Sequence, residues 1–225
     1  MNDWDIFTDS IPWFVDHNAT VSLDSGRDST TLATLLDSTF PTLAKLIRSA
    51  TITSVTLNDV QHELFAWNSS EGYRFGWLCL SPPTDAINDV CESHRLLLRN
   101  FGGIIERFNE PDDTRLLNHN SVLTNLEASF DASFVNDYSW AFNGKIPIDP
   151  SDYYIVAREA NGNTTICHRT DSSVFLFAPD HSFDDVTRVD DCPDFTLYNI
   201  RDASTLTDWV ELIARQWLRH TPIAA

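Results

Sequence analysis

Glycine is scarce in this chain of 225 residues. There are seven, and none completes a GxGxxG or GxxxxGK[ST] turn. Such a turn opening a helix is what cradles a phosphate, so the nucleotide-binding classes built on it are excluded. GxSxG is absent too, which removes the strand-to-helix elbow of a serine hydrolase. Lysine occurs only at Lys45 and Lys145. The four cysteines, Cys79, Cys91, Cys167 and Cys192, show no CxxC spacing. Neither a zinc ribbon nor a thioredoxin-like motif can be built from them. No apolar run is long enough to suggest a membrane span, and the mean hydropathy is −0.22. The start, Met1-Asn2-Asp3-Trp4-Asp5, is acidic where a secretory leader would carry basic residues ahead of an apolar stretch. The expectation is a cytoplasmic protein with free thiols.

Acid is what the chain has in excess. Asp and Glu number 33 against 15 Lys and Arg, for a formal charge of −18. Most of the acids are aspartates, which favour caps and turns over helix interiors. A strongly negative body repels phosphates, so direct binding to nucleic acid is not expected, whereas a basic protein partner is. With 42% hydrophobic and 12% aromatic residues, the chain can bury a sizeable core without staples.

Residues 1–28 form an acidic stretch with Trp4, Phe7, Trp13 and Phe14 interspersed. They read as an irregular arm that docks by its aromatics, ahead of a single α+β domain over 29–225. Asp28 or Ser29 supplies the cap for the first helix of that domain. Leu32, Leu35, Leu36, Phe40, Leu43 and Leu46 or Ile47 recur at helical spacing, and Pro41 divides them into two short helices or kinks one. Strands are expected at 51–57, 62–67 and 73–80, with Tyr73, Phe75 and Trp77 on the sheet's inner face. Ser81-Pro82-Pro83-Thr84 then opens a helix carrying Ile87, Val90, Cys91, His94, Leu98 and Phe101 along one side, closed by Gly102-Gly103. Ser133 to Phe142 suggests another short helix, ended by Asn143-Gly144. Further strands are expected at 152–159, 164–169 and 173–178, the first turn marked by Asn161-Gly162. A strand at 195–200 precedes a last helix whose Leu206, Trp209, Val210, Ile213, Trp217 and Leu218 share one face. Helices, then strands, then a closing helix argue for an α+β fold. The sheet is expected to be mixed or mainly antiparallel and flanked by helices.

Chemistry finds little support. Cys167, His168, His181 and Cys192 offer the softest potential metal ligands, but adjacent residues on a strand face opposite ways and no zinc spacing is met. Asp180, Asp184, Asp185, Asp190, Asp191 and Asp194 are dense without forming a calcium loop. No environment that would split the pKa values of two of them is evident. No catalytic residue, metal or cofactor is assigned, and the chain does not read as an enzyme. The same segment reads better as recognition surface. Between the strands 173–178 and 195–200 it holds six acids and one base, Arg188. Phe183 provides an aromatic anchor among charges, the composition of a protein–protein hot spot.

Several stretches carry a family likeness. Phe175-Leu176-Phe177-Ala178-Pro179-Asp180-His181-Ser182-Phe183, then Cys192-Pro193-Asp194-Phe195-Thr196-Leu197-Tyr198, then Trp209 on the last helix, resemble the SUKH superfamily of SMI1/KNR4-like proteins. The helix ending Leu96-Leu97-Leu98-Arg99-Asn100-Phe101-Gly102-Gly103 resembles that family's helix closed by a glycine pair. The likeness runs over residues 84–220. It implies an α+β fold without catalysis or cofactor. It also implies an immunity or antitoxin protein that neutralises a bacterial toxin, often a nuclease, by stoichiometric binding in the cytoplasm. Eukaryotic relatives imply the alternative, a regulatory scaffold binding an endogenous partner. An acidic inhibitor can occupy a nuclease's cationic groove as a decoy. The partner-binding residues expected on this reading are Asp180, His181, Phe183, Asp184, Asp185, Asp190 and Asp191, with Trp140 and Glu159 beside them. A metal-assisted hydrolase is the remaining alternative.

Overall fold

A computed structural model describes residues 1–84, 89–111, 121–122, 128, 130–159, 162–180 and 184–222. The first 28 residues depart from the expected irregular arm. Asn2 and Asp5 form a reciprocal capping box that starts helix α1, Asp3–Ser10. Its Trp4 and Phe7 are buried, in keeping with docking by aromatics, while Trp13 is 75% exposed. A bidentate pair from Arg74 to Asp3, at 2.8 and 2.5 Å, fixes the helix to the sheet beneath. Strand β1, Val21–Ser25, then pairs antiparallel with β2, Thr51–Leu57. The capping box is carried by polar residues, and β1 offers only Val21 and Leu23 in alternation, so hydrophobic spacing gives little hint of either.

Asp28 caps α2, Ser29–Leu36, by accepting from the Thr31 N–H at 2.7 Å. Pro41 opens a separate helix α3, Pro41–Arg48, at the first-turn position where its missing N–H costs nothing. Strands β3 (Val60–Asn68) and β4 (Arg74–Leu80) continue the meander from β2. Gly76 in β4 lies so close to β3 that a Cβ there would sit 2.0 Å from the Phe65 carbonyl oxygen and 2.6 Å from the Phe108 ring. Helix α4 spans Glu92–Asn100, starting later than expected because Cys91 is extended and acts as its N-cap. Residues 85–88, including Ile87, lie outside the described set. The glycine pair after α4 has two different causes. Gly102 has no room for a Cβ against the Leu80 and Ser81 carbonyls, while Gly103 is left-handed at φ 94°.

Strand β5 (Ile104–Phe108) pairs with β4, and the two-residue β6 (Ser121–Val122) bridges β5 to β7 (Tyr153–Arg158). From there β8 (Thr164–His168) and β9 (Val174–Phe177) extend the meander. Strand β11 (Leu197–Ile200) pairs with β9, leaving β10 (Val186–Arg188) outermost against β11. The sheet order is therefore β1-β2-β3-β4-β5-β6-β7-β8-β9-β11-β10, with every pair antiparallel. It divides naturally into two five-stranded halves joined through β6. Helix α5, Leu206–Leu218, closes the fold behind its own capping box of Thr205 and Asp208. This is the α+β architecture with helices flanking an antiparallel sheet.

Strand alternation decides what each face buries. On one face Phe65, Trp67, Phe75, Trp77, Tyr154, Val156, Cys167 and Leu176 meet α2, α3, α4 and α5 in the main core. Trp209, Ile213 and Trp217 join it, as their helical stripe indicates, and Tyr73 packs at its margin. Trp77 stands edge-on to Trp67 at 4.8 Å and to Trp217 at 4.9 Å, the arrangement that aromatic quadrupoles favour. On the opposite face α1 covers Val55, Leu64, Ala66 and Leu78 of the N-terminal half. A 3-10 helix, Ser133–Phe142, covers Ile166, Phe177 and Leu197 of the C-terminal half. That 3-10 helix ends at left-handed Asn143 and Gly144, the stop expected from the sequence. No helix among the described residues is long and apolar enough to cross a membrane.

Candidate functional site

The sheet's C-terminal margin gathers the acidic segment. Leaving β9, the chain passes Ala178 and Pro179 to Asp180, which is exposed. Its N–H donates to the Asn163 side-chain oxygen at 3.5 Å. Asn163 is fully buried in the β7–β8 turn, and its amide donates to the Glu159 carboxylate at 3.3 Å. Glu159 is thereby corrected. It is 4% exposed, so it holds the turn from inside and offers no charge to a partner.

Beyond Asp180, His181 and Phe183 lie outside the described residues. Asp184 is exposed, and its carbonyl accepts from Arg201 at 3.0 Å. Asp185 is half-buried, with its carboxylate 3.7 Å from the Arg201 guanidinium. Strand β10 comes next, at the sheet's outer edge. Its Arg188 pairs with Asp194 at 2.9 Å, both groups being exposed, an arrangement of small energetic weight. Asp190 and Asp191 stand exposed on the turn after β10, Asp191 in the left-handed region at φ 61°. Asp tolerates that conformation better than most residues. Cys192 turns inward beneath them into the cluster under the 3-10 helix. Thus two arginines answer part of the negative charge, while carboxylates on both sides of β10 face solvent.

The turn into β11 holds an anchor that hydrophobic spacing does not reveal. Phe195 is left-handed at φ 61° and 52% exposed. It is held there because its N–H donates to the Tyr198 hydroxyl at 2.8 Å and the Thr196 hydroxyl donates to the Pro193 carbonyl at 2.6 Å. A bulky residue at positive φ is a strained choice that survives only when its surroundings enforce it. The pattern Phe195-Thr196-Leu197-Tyr198 resembles the start of a strand, but β11 begins at Leu197. Nothing in the spacing of hydrophobic residues separates an exposed Phe in a turn from a buried one at a strand's start. Trp140 is 76% exposed near the end of the 3-10 helix. Its ring lies 6.4 Å from Tyr138, which packs edge-on against Phe177 of β9 at 5.0 Å. Trp140 is therefore tied through one neighbour to the strand that leads into the acidic segment.

No family model, curated protein or solved structure matches this chain. The likeness to the SUKH superfamily rests on residue patterns alone.

The two cysteines among the soft potential ligands lie apart. Cys167 belongs to the core beneath the helices and Cys192 to the cluster on the opposite face, while His181 lies outside the described residues. Among the described residues no group of three or more His, Cys, Asp or Glu is placed to hold a metal ion.

A second cluster sits where α4 meets β7 and β8. The Cys91 sulfur lies 3.3 Å from the Tyr154 hydroxyl, 3.4 Å from the Ser93 hydroxyl and 3.9 Å from the Cys167 sulfur. His94 Nδ1 is 2.9 Å from the same Tyr154 hydroxyl. Its Nε2 is buried with no hydrogen-bond partner among the described residues. Burying a bare ring nitrogen costs less than burying an unsatisfied N–H, so the proton belongs on Nδ1. Nδ1–H then donates to Tyr154, and the Tyr154 hydroxyl is left to donate to Cys91. Full burial holds the His94 imidazole down to about 3, so it stays neutral. Helical spacing alone puts Cys91 and His94 on one face but says nothing of Cys167 or Tyr154. Those arrive through strand pairing some 60 residues or more away in the chain.

Proposed function

We propose that this chain is a cytoplasmic capture protein that binds a basic protein domain and acts by occupying it, without turnover. The observation that supports the reading is the exposure of Asp180, Asp184, Asp190 and Asp191 around edge strand β10, with Phe195 exposed beside them. An aromatic anchor among charges supplies desolvated contact, and the carboxylates steer and select a cationic partner. The short β10 and its charged neighbours also discourage pairing with arbitrary strands. The chain's charge of −18 adds to the same field.

The partner class comes from the SUKH-like blocks. On that likeness the chain is an immunity protein and its partner a toxin domain, with a nuclease's phosphate-binding groove the natural target for carboxylates. The test is protection in cells. Expression with the product of the adjacent gene is expected to rescue growth that the product alone arrests. Asp184→Lys with Asp190→Lys is expected to abolish rescue while the protein accumulates normally. An adjacent product that is harmless alone, or rescue untouched by the charge reversal, overturns this assignment.

A further inference from the structure

The proposed capture function leaves the buried cluster at the head of α4 unused. We propose that Cys91 and Cys167 form an oxidisable dithiol that hydrogen peroxide converts to an intramolecular disulfide, with Cys91 the attacking and Cys167 the resolving sulfur.

Geometry makes the pair. The sulfurs are 3.9 Å apart, at van der Waals contact, so reaching a bond of about 2 Å takes a side-chain adjustment. Cys91 is the N-cap of α4, where the free N–H groups of the first turn favour negative charge. It also has access. A cavity of about 530 Å³ is lined by Cys91 together with Glu92, Ser93, Arg95, Arg99 and Thr170. Arg95 and Arg99 outnumber the single carboxylate of Glu92 in that lining, in an otherwise acidic protein.

The two thiols are unequal. Hydrogen bonding from the Cys167 thiol leads in lowering the Cys91 pKa, helped by the Ser93 and Tyr154 hydroxyls and the His94 backbone N–H, while burial opposes it. Cys167 moves the opposite way, raised by its bond to Cys91 and by burial. A thiolate on one sulfur and a retained proton on the other is the division of labour that disulfide formation needs. The Cys91 thiolate attacks one peroxide oxygen and the O–O bond breaks. Cys91 becomes a sulfenic acid, and the departing hydroxide takes up the proton Cys91 gave up, leaving as water. The Cys167 sulfur then attacks Cys91 Sγ as its own proton leaves. The S–O bond breaks and hydroxide departs with that proton as a second water. Both sulfurs are oxidised by one electron each and the peroxide is reduced by two. Cys79 and Cys192 provide internal controls, since burial raises both.

The test uses the full chain treated with hydrogen peroxide, alkylated, and mapped by mass spectrometry without reduction. The expected product is a reductant-sensitive link between the peptides of Cys91 and Cys167, with Cys79 and Cys192 still alkylated. In Cys167→Ser a sulfenic acid at Cys91 is expected to be trapped by dimedone. In Cys91→Ser, oxidation of Cys167 is expected to slow roughly tenfold or more, since the thiolate is gone. The unmutated map decides the matter even if a variant folds poorly. Absence of the link, a link between different chains, or equal oxidation of Cys79 and Cys192 overturns the proposal.

Discussion

The Glu211 carboxylate on α5 accepts hydrogen bonds from the backbone N–H of Thr42 at 3.0 and 2.9 Å, and also from Leu43 at 3.1 Å. Helix α3 has no cap of its own, because Phe40 at its N-cap supplies no side-chain acceptor. A residue 169 positions away supplies it instead, and its charge also suits the positive end of the helix. Packing of α5 on α3 and the start of α3 are thus one interaction.

Removal of that carboxylate is expected to cost stability. Glu211→Ala should lower it by about 0.5–2 kcal/mol, the usual range for a lost cap. Glu211→Gln should recover part of the loss by keeping an acceptor. Urea midpoints of the three proteins measure this, and an unchanged midpoint for the alanine variant would contradict the capping role.

The tryptophan cluster distinguishes two kinds of indole. Trp67 Nε1 donates to the Leu46 carbonyl at 2.8 Å, whereas Trp217 Nε1 is buried without a hydrogen-bond partner among the described residues. Phenylalanine in place of Trp67 forfeits a made bond, and in place of Trp217 it relieves an unmade one. Trp67→Phe is therefore expected to destabilise by at least about 1 kcal/mol more than Trp217→Phe. Equal costs in chemical denaturation would mean that cavity volume alone sets both.

Acid should loosen the fold through His94. The unfolded imidazole takes a proton near 6.5, while the folded one resists it down to about 3. Between those values the unfolded state binds more protons, so stability falls as pH drops through the window, by about 1.4 kcal/mol per unit at most. Above the window this residue contributes no slope. Carboxylates add their own acid loss, so the readout is the gap between the original chain and His94→Asn, which keeps a donor for Tyr154 and does not titrate. Urea midpoints at pH 7 and pH 5 should show that gap shrinking or reversing toward acid. A constant gap contradicts a neutral buried His94.

Local chemistry is legible in the sequence wherever a single residue carries the instruction. Asp28 starts α2, Pro41 opens α3, and Asn143-Gly144 stops the 3-10 helix, each through its own side chain or backbone preference. Period-two and helical stripes correctly place Phe75, Trp77, Trp209 and Trp217 inside. Features set by distant partners are not legible in this way. Strand β1 has four exposed residues out of five and only Val21 packs against the core beneath α1, so it is held chiefly by its pairing with β2. Glu159 looks like a surface acid until the hairpin turn folds Asn163 onto it. Phe195 looks like strand until Tyr198 holds it outside. In the candidate site the acids are legible as composition, whereas the strand edge they surround depends on β11 inserting between β9 and β10.

Docking of a cationic protein by the carboxylates around β10 is tested most directly by titrating the purified chain with the adjacent gene's product over a series of salt concentrations. The Asp184→Lys, Asp190→Lys variant is titrated beside it. Both substituted positions are exposed, and neither has the left-handed backbone of Asp191, so the variant should keep the original stability to within about 0.5 kcal/mol. The predicted result is saturable binding that weakens steadily as salt rises, with affinity for the variant reduced by tenfold or more, a loss of about 1.4 kcal/mol. Binding of equal strength at every salt concentration and in both proteins, or no binding at all, would contradict it.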